Sequence, residues 1–145
     1  MGEIAYHYQT TFKLKNEQRH TDWIINVLTK QGAEAGVLNV IFTSDQELLK
    51  LNKLYLDHDY FTDIITFEYE EIPGLSGDLF ISIDRVRENA EQAKATLEDE
   101  VRRVIAHGLF HLMGHNDKTE SDIVRMRSLE SEAIEMFHVK HLDDV

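Results

Sequence analysis

The sequence predicts an α+β fold, a small mixed β-sheet packed with helices. Two observations carry this expectation. Runs rich in β-branched and aromatic residues fall mainly within residues 1–83, whereas the later chain reads with helical periodicity. No internal repeat, low-complexity stretch or Pro/Ser-rich linker divides the chain, so residues 1–145 are expected to form one domain.

Taken in order, Ile4 to Leu14 is rich in Tyr, Thr and Phe and reads as one or two short strands. Thr21 is expected to cap an amphipathic helix through Trp23, Ile24, Val27 and Leu28, with Gly32 as its left-handed stop. Leu38 to Thr43 reads as a strand. Ser44 and Glu47 then have capping-box spacing for a helix reaching about Leu56. Asp63 to Tyr69 and Asp78 to Ile83 are β-rich runs on either side of a loop holding Pro73, the single proline. Asp84 is expected to cap a helix over Arg85 to Lys94. Thr96 and Asp99 suit the start of the next, whose first turn carries Glu98, Asp99 and Glu100 against the helix dipole. That helix continues through Val101, Val104, Ile105, Leu109 and Leu112 to Gly114. A last helix runs from Thr119 or Glu120 to about Phe137, with Ile123, Met126, Leu129, Ile134 and Phe137 read as core. His138 and His141 are expected to be exposed. Strand order does not follow from these patterns.

Composition narrows the function. A chain of 145 residues can remove about 70% of its unfolded surface from water. No apolar run approaches the roughly 20 residues that span a bilayer, and the first residues lack the apolar core of a signal peptide. No membrane partner is expected. The 15 basic and 27 acidic residues leave a net charge of −12, which repels phosphate backbones at long range. A local basic groove is still compatible with that balance, because the Debye length is only about 8 Å at physiological salt. There is no cysteine, so any metal must be bound by His, Asp or Glu, and the composition suits a reducing cytoplasm.

Three of the eight histidines stand at 107, 111 and 115, in the run HGLFHLMGHND. Residues four apart lie one above the other on a helix, so His107 and His111 can direct two imidazole nitrogens at one ion. Gly114 can end the helix and let the chain fold back with a third ligand. Asp117 gives H-x3-H-x2-G-x2-D, the metzincin spacing with a carboxylate last. His115 has less chain in which to turn. Spacing favours His107, His111 and Asp117 around one Zn²⁺ ion with an open fourth position, the arrangement of a catalytic site. A plain reading competes: such a His pair often only caps or hydrogen-bonds in a core. A closed structural site would enlist His115 as fourth ligand. Gly108 stands where an HExxH peptidase carries its glutamate base, which argues against peptide hydrolysis by that route.

The same run resembles the signature HGxLHLxGYDH of the YbeY family of metal-dependent endoribonucleases. LNKLYLDHDYFTDIITF at Leu51 to Phe67 resembles the family's LNxxYRxxDxPTDVLSF, and GDLFISIDRV at Gly77 to Val86 resembles its GDIxIS strand. The likeness covers about residues 44 to 118. It implies a zincin-like fold and zinc held by His107, His111 and Asp117, with His115 a bystander. It also implies single-strand RNA cleavage in ribosomal RNA maturation and ribosome quality control, with ribosomal RNA and the ribosome as cytoplasmic partners. Two positions depart: Leu56 replaces the family's arginine, and Phe61 replaces its proline. Arg85, Arg87, Arg102 and Arg103 are the candidates for restoring the missing charge.

The expected function is therefore a zinc-dependent endoribonuclease in which the metal activates water or polarises a phosphoryl oxygen. The alternatives are a zinc hydrolase of another substrate, such as a weak peptidase, and a zinc-stabilised, non-catalytic module on the ribosome. Asp63 and Asp78 are expected to satisfy backbone donors at strand ends, and His58 and Asp59 to lie in a solvated loop. By analogy with zincins, the strand from Asp78 is expected to flank the substrate cleft.

Overall fold

The computed structural model describes residues 2–143, with residues 140–143 described by backbone alone; His141 therefore lies outside the described side chains. The chain runs β1 (Glu3–Tyr8), α1 (Glu17–Lys30), β2 (Ala35–Thr43), α2 (Asp45–Leu56), β3 (Ile64–Glu68), β4 (Leu75–Ser82), α3 (Ile83–Ala93), α4 (Leu97–Leu112) and α5 (Glu120–Asp143). Among the described residues the strands form one sheet in the order β1-β2-β4-β3. β1 and β4 both run parallel to β2, and β3 returns antiparallel at the edge. The α+β expectation of a small mixed sheet with helices holds.

Local signals explain most boundaries. Ser44 caps α2, its Oγ accepting the Glu47 amide at 3.2 Å, and Thr96 caps α4 by accepting the Asp99 amide at 3.1 Å. Two starts differ from expectation. Asn16, in the left-handed region at φ 59, caps α1 and accepts the Arg19 amide. Thr21 lies inside the helix, its hydroxyl 3.0 Å from that of Tyr6 on β1. The first turn of α1 carries no apolar periodicity, so its start is silent in the pattern. Ser82, not Asp84, caps α3, while Asp84 accepts the Asp45 amide. Helix α5 also runs six residues beyond Phe137, and Ile123 on it is 44% exposed rather than core.

Helix α4 lies at the centre of the core. Val101, Val104, Ile105 and Leu109 are fully buried in one apolar cluster with Leu38, Val40 and Phe42 of β2 and Leu79 and Ile81 of β4. Each such side chain contributes about 1.5–3 kcal/mol on leaving water. Close approach to the sheet depends on Gly108. A Cβ there would lie 2.6 Å from Ile64 Cδ1 and 2.9 Å from Leu79 Cδ2. One face of α4 is thus committed to the sheet, and the adjoining face carries the histidines.

Candidate metal centre

The site is built by how α4 ends. Leu112 is its last residue and Gly114 takes φ 96. The Gly114 amide donates to the His111 carbonyl and the His115 amide to the Phe110 carbonyl, both at 2.9 Å, a Schellman closure. The chain reverses there, and Thr119 and Asp122 cap the start of α5 reciprocally. Asp117 sits in the short connection and is carried back over the helix it has just left.

The result is a convergence of three side chains. Asp117 Oδ2 lies 3.4 Å from His107 Nε2 and 3.4 Å from His111 Nε2. The three candidate ligand atoms all fall within 4.8 Å of one another. His115 is not among them; its ring packs edge-on against Phe110.

Helix α5 supplies the support. His107 Nδ1 is 2.6 Å from Oε2 of Glu130, which is 1% exposed. An ionised carboxylate only accepts, so Nδ1 carries the proton and the Nε2 lone pair faces Asp117. Two acceptors 3.4 Å apart repel unless a cation or proton lies between them. Zinc arms of about 2.0–2.1 Å in a tetrahedron place neighbouring ligands about 3.4 Å apart, so the residues present fit that ion.

Glu130 is held in turn by Arg103 at 3.3 Å and Arg127 at 3.0 Å. Burial pushes its carboxyl up, but the His107 hydrogen bond and the two guanidinium charges outweigh it and hold the group below the ordinary carboxylate value. Burial likewise opposes the charge on Arg103, yet Glu100, Glu130 and Asp63 raise its pKa. Sequence reasoning missed Glu130. Its signal was present, a carboxylate standing within the buried stripe Met126, Glu130, Ala133 and Phe137.

The three side chains open onto a cleft of about 520 Å³ lined by Leu56, His58, Tyr60, Thr62 to Thr66 and Asn52. The flanking strand is β3, not β4, because β4 is interior and β3 is the sheet edge. Asp63 accepts from Asn89 and Arg103 side chains, and Asp78 from Asn39 and Tyr69, rather than from backbone donors. Asp59 pairs with Lys53, and both Asp59 and His58 are exposed in the loop as expected, His58 also lining the cleft. His138 is exposed and meets Asp99 at 2.9 Å.

The candidate arginines do not restore the missing charge. Arg85 pairs with Asp45 and Glu88, Arg102 with Asp99, and Arg103 with Glu100. Arg87 is exposed on α3 and does not line the cleft. Among the described residues no Lys or Arg lines the cleft.

Comparison with known proteins adds a family. The sequence pattern described as Endoribonuclease YbeY matches residues 4–138. A protein named Endoribonuclease YbeY from Flavobacterium johnsoniae is 44% identical over 137 residues, covering 94% of this chain and 99% of its own. One of the same name from Bacteroides thetaiotaomicron is 49% identical over 116 residues, covering 80% and 85%. The solution structure of TM1509 from Thermotoga maritima superposes with a TM-score of 0.65 at 22% identity, over 97% of this chain and 93% of that one. At that identity the likeness concerns the fold.

Proposed function

The chain belongs to the YbeY family of endoribonucleases, and from that membership we propose that it cuts single-stranded RNA with one zinc ion held by His107, His111 and Asp117. The observation that carries the metal reading is the pair of equal 3.4 Å separations from Asp117 Oδ2 to the two histidine nitrogens. When bound, the ion supplies Lewis acidity toward water or a phosphoryl oxygen. The chain's own part is positional. Glu130 keeps the proton on His107 Nδ1 and fixes the ring, and Arg103 fixes Glu130. The exposed side of Asp117, in the cleft that Thr62 and Thr66 also line, is where a phosphodiester would be presented.

Peptide hydrolysis is the weaker reading. Position 108, where a peptidase of this motif carries its base, is packed on the sheet and does not face the cleft. Ribosomal RNA is the proposed substrate, in maturation and quality control of ribosomes, with residues 1–145 acting as one domain in the cytoplasm. No described helix is long and apolar enough to cross a membrane.

The test is incubation of zinc-loaded protein with ribosomal RNA, with His111→Ala as control. Defined cleavage products that disappear in the variant are expected. Equal cleavage by both proteins would sink the zinc-nuclease reading.

A further inference from the structure

The cleft poses a physical problem for an RNA-cutting site. Its walls carry no cation among the described residues, the arginine of the family pattern is Leu56, and the whole chain bears −12. Phosphate neutralisation, the usual source of affinity for a nucleic acid, is not supplied by the cleft lining, and the cations beside this segment, Arg85 over Phe61 and Lys53, are paired with Asp45 and Asp59. What the rim offers instead is aromatic. Five of the nine exposed large hydrophobic side chains among the described residues fall within residues 54–61: Leu54, Tyr55, Leu56, Tyr60 and Phe61. Of these, Leu56 and Tyr60 line the metal cleft and, together with His58, make the patch on its rim.

Within the patch, two rings are arranged rather than merely exposed. The imidazole of His58 stacks on the ring of Tyr60, with centroids 5.0 Å apart and planes 21° from parallel. The Tyr60 hydroxyl lies 2.9 Å from His58 Nδ1. The backbone beneath them is pinned by one buried residue of α2. Asn52, 1% exposed, donates from Nδ2 to the Tyr60 carbonyl at 2.8 Å, and its own carbonyl accepts the His58 amide at 3.0 Å. Rings held this way lose little freedom when a planar partner docks on them.

We propose, resting on the endoribonuclease reading above, that His58 and Tyr60 form a nucleobase-stacking subsite on the rim of the cleft, so that a single strand is held there through a base rather than through its phosphates. Stacking needs no positive charge and tolerates any base, because every base has a π-face. It also selects for unpaired RNA, since a base buried in a duplex presents no free face.

The test uses the full-length, metal-loaded protein and a short labelled single-stranded RNA, alongside the same strand carrying abasic sites. Tyr60→Ala is expected to raise KM about tenfold with little change in kcat, and Tyr60→Phe to restore it. The wild type is expected to lose a similar factor on the abasic strand, and Tyr60→Ala to treat both strands alike. Raising salt from about 50 to about 200 mM is expected to weaken binding less than about threefold, the change for one phosphate contact. An unchanged KM in Tyr60→Ala, as a protein occupant of the patch would give, overturns the subsite and leaves the nuclease reading standing. A steep salt dependence does the same. A wild type that cuts neither strand, or no better than His111→Ala, overturns the nuclease reading and the subsite with it. If Tyr60→Ala fails to fold, the abasic strand on the wild type and the Tyr60→Phe variant still decide the matter.

Discussion

His107 on α4 and Glu130 on α5 meet at 2.6 Å, joining the candidate ligand to a carboxylate that water hardly reaches. The contact does two things at once. It fixes which imidazole nitrogen is free, and it ties the last helix to the floor of the cleft. Glu130→Gln keeps an acceptor but removes the charge that Arg103 and Arg127 compensate. Zinc affinity, measured by competition with a chelator, is expected to fall about 10- to 100-fold. Glu130→Ala leaves Arg103 with one buried partner fewer and is expected to cost about 3 kcal/mol of stability in urea unfolding.

Metal content should separate the candidate ligands from their neighbour. Metal analysis after dialysis is expected to find about one zinc per chain in the wild type and in His115→Ala. Almost none is expected in His111→Ala or Asp117→Ala. Loss of zinc in His115→Ala with retention in Asp117→Ala would show the ligand assignment to be wrong.

The contact between α4 and the sheet leaves no room at position 108. Gly108→Leu must displace Ile64 and Leu79, which already approach the place of a Cβ within 3 Å. Overpacking of this kind costs about 1–3 kcal/mol, and the upper end is expected here. At this chain length that lowers Tm by about 6–12 °C, readable in a thermal melt. A melt within about 2 °C of wild type would mean that α4 can lift from the sheet freely.

Stability should fall on the acid side for two identifiable reasons. His20 is buried on α1, donating from Nδ1 to the Asn16 carbonyl while its Nε2 accepts from Arg102. Burial first, and then the charges of Arg102 and Arg19, hold its pKa below the ordinary 6.5. The unfolded chain therefore binds this proton first, and stability declines as pH drops through 6.5 toward the folded value. Asp99 acts lower down. Burial raises its carboxyl, but hydrogen bonds from His138 and Arg102 prevail and hold it below 3.8, so its contribution is present at neutral pH and lost as pH falls below 3.8. Urea unfolding of His20→Gln is expected to show a flatter pH dependence than wild type between about pH 7 and 5. Parallel profiles would exclude His20 as the source.

Much of the candidate site was legible because its signals are local. The two histidines need only the helical repeat to share a face, and Gly114 needs only its own conformational freedom to end the helix beside them. Thr96 and Ser44 announce helix starts through bonds to amides three residues on. Reading failed where a cap stood apart from the apolar periodicity or a partner lay far along the chain. Asn16 caps α1 ahead of any apolar periodicity, and Glu130 reaches His107 across 23 residues of chain.

By itself the sequence determined the class of fold, the family pattern and the helix that carries His107 and His111, since periodicity, capping and spacing act within a few residues. Only tertiary structure decided that β3 rather than β4 borders the cleft, that Arg85 meets Asp45 and Arg103 meets Glu130, and that Glu130 stands behind His107. Those outcomes depend on which elements lie side by side once α4 is buried. A side chain's partners then follow from packing, which no short stretch of sequence specifies.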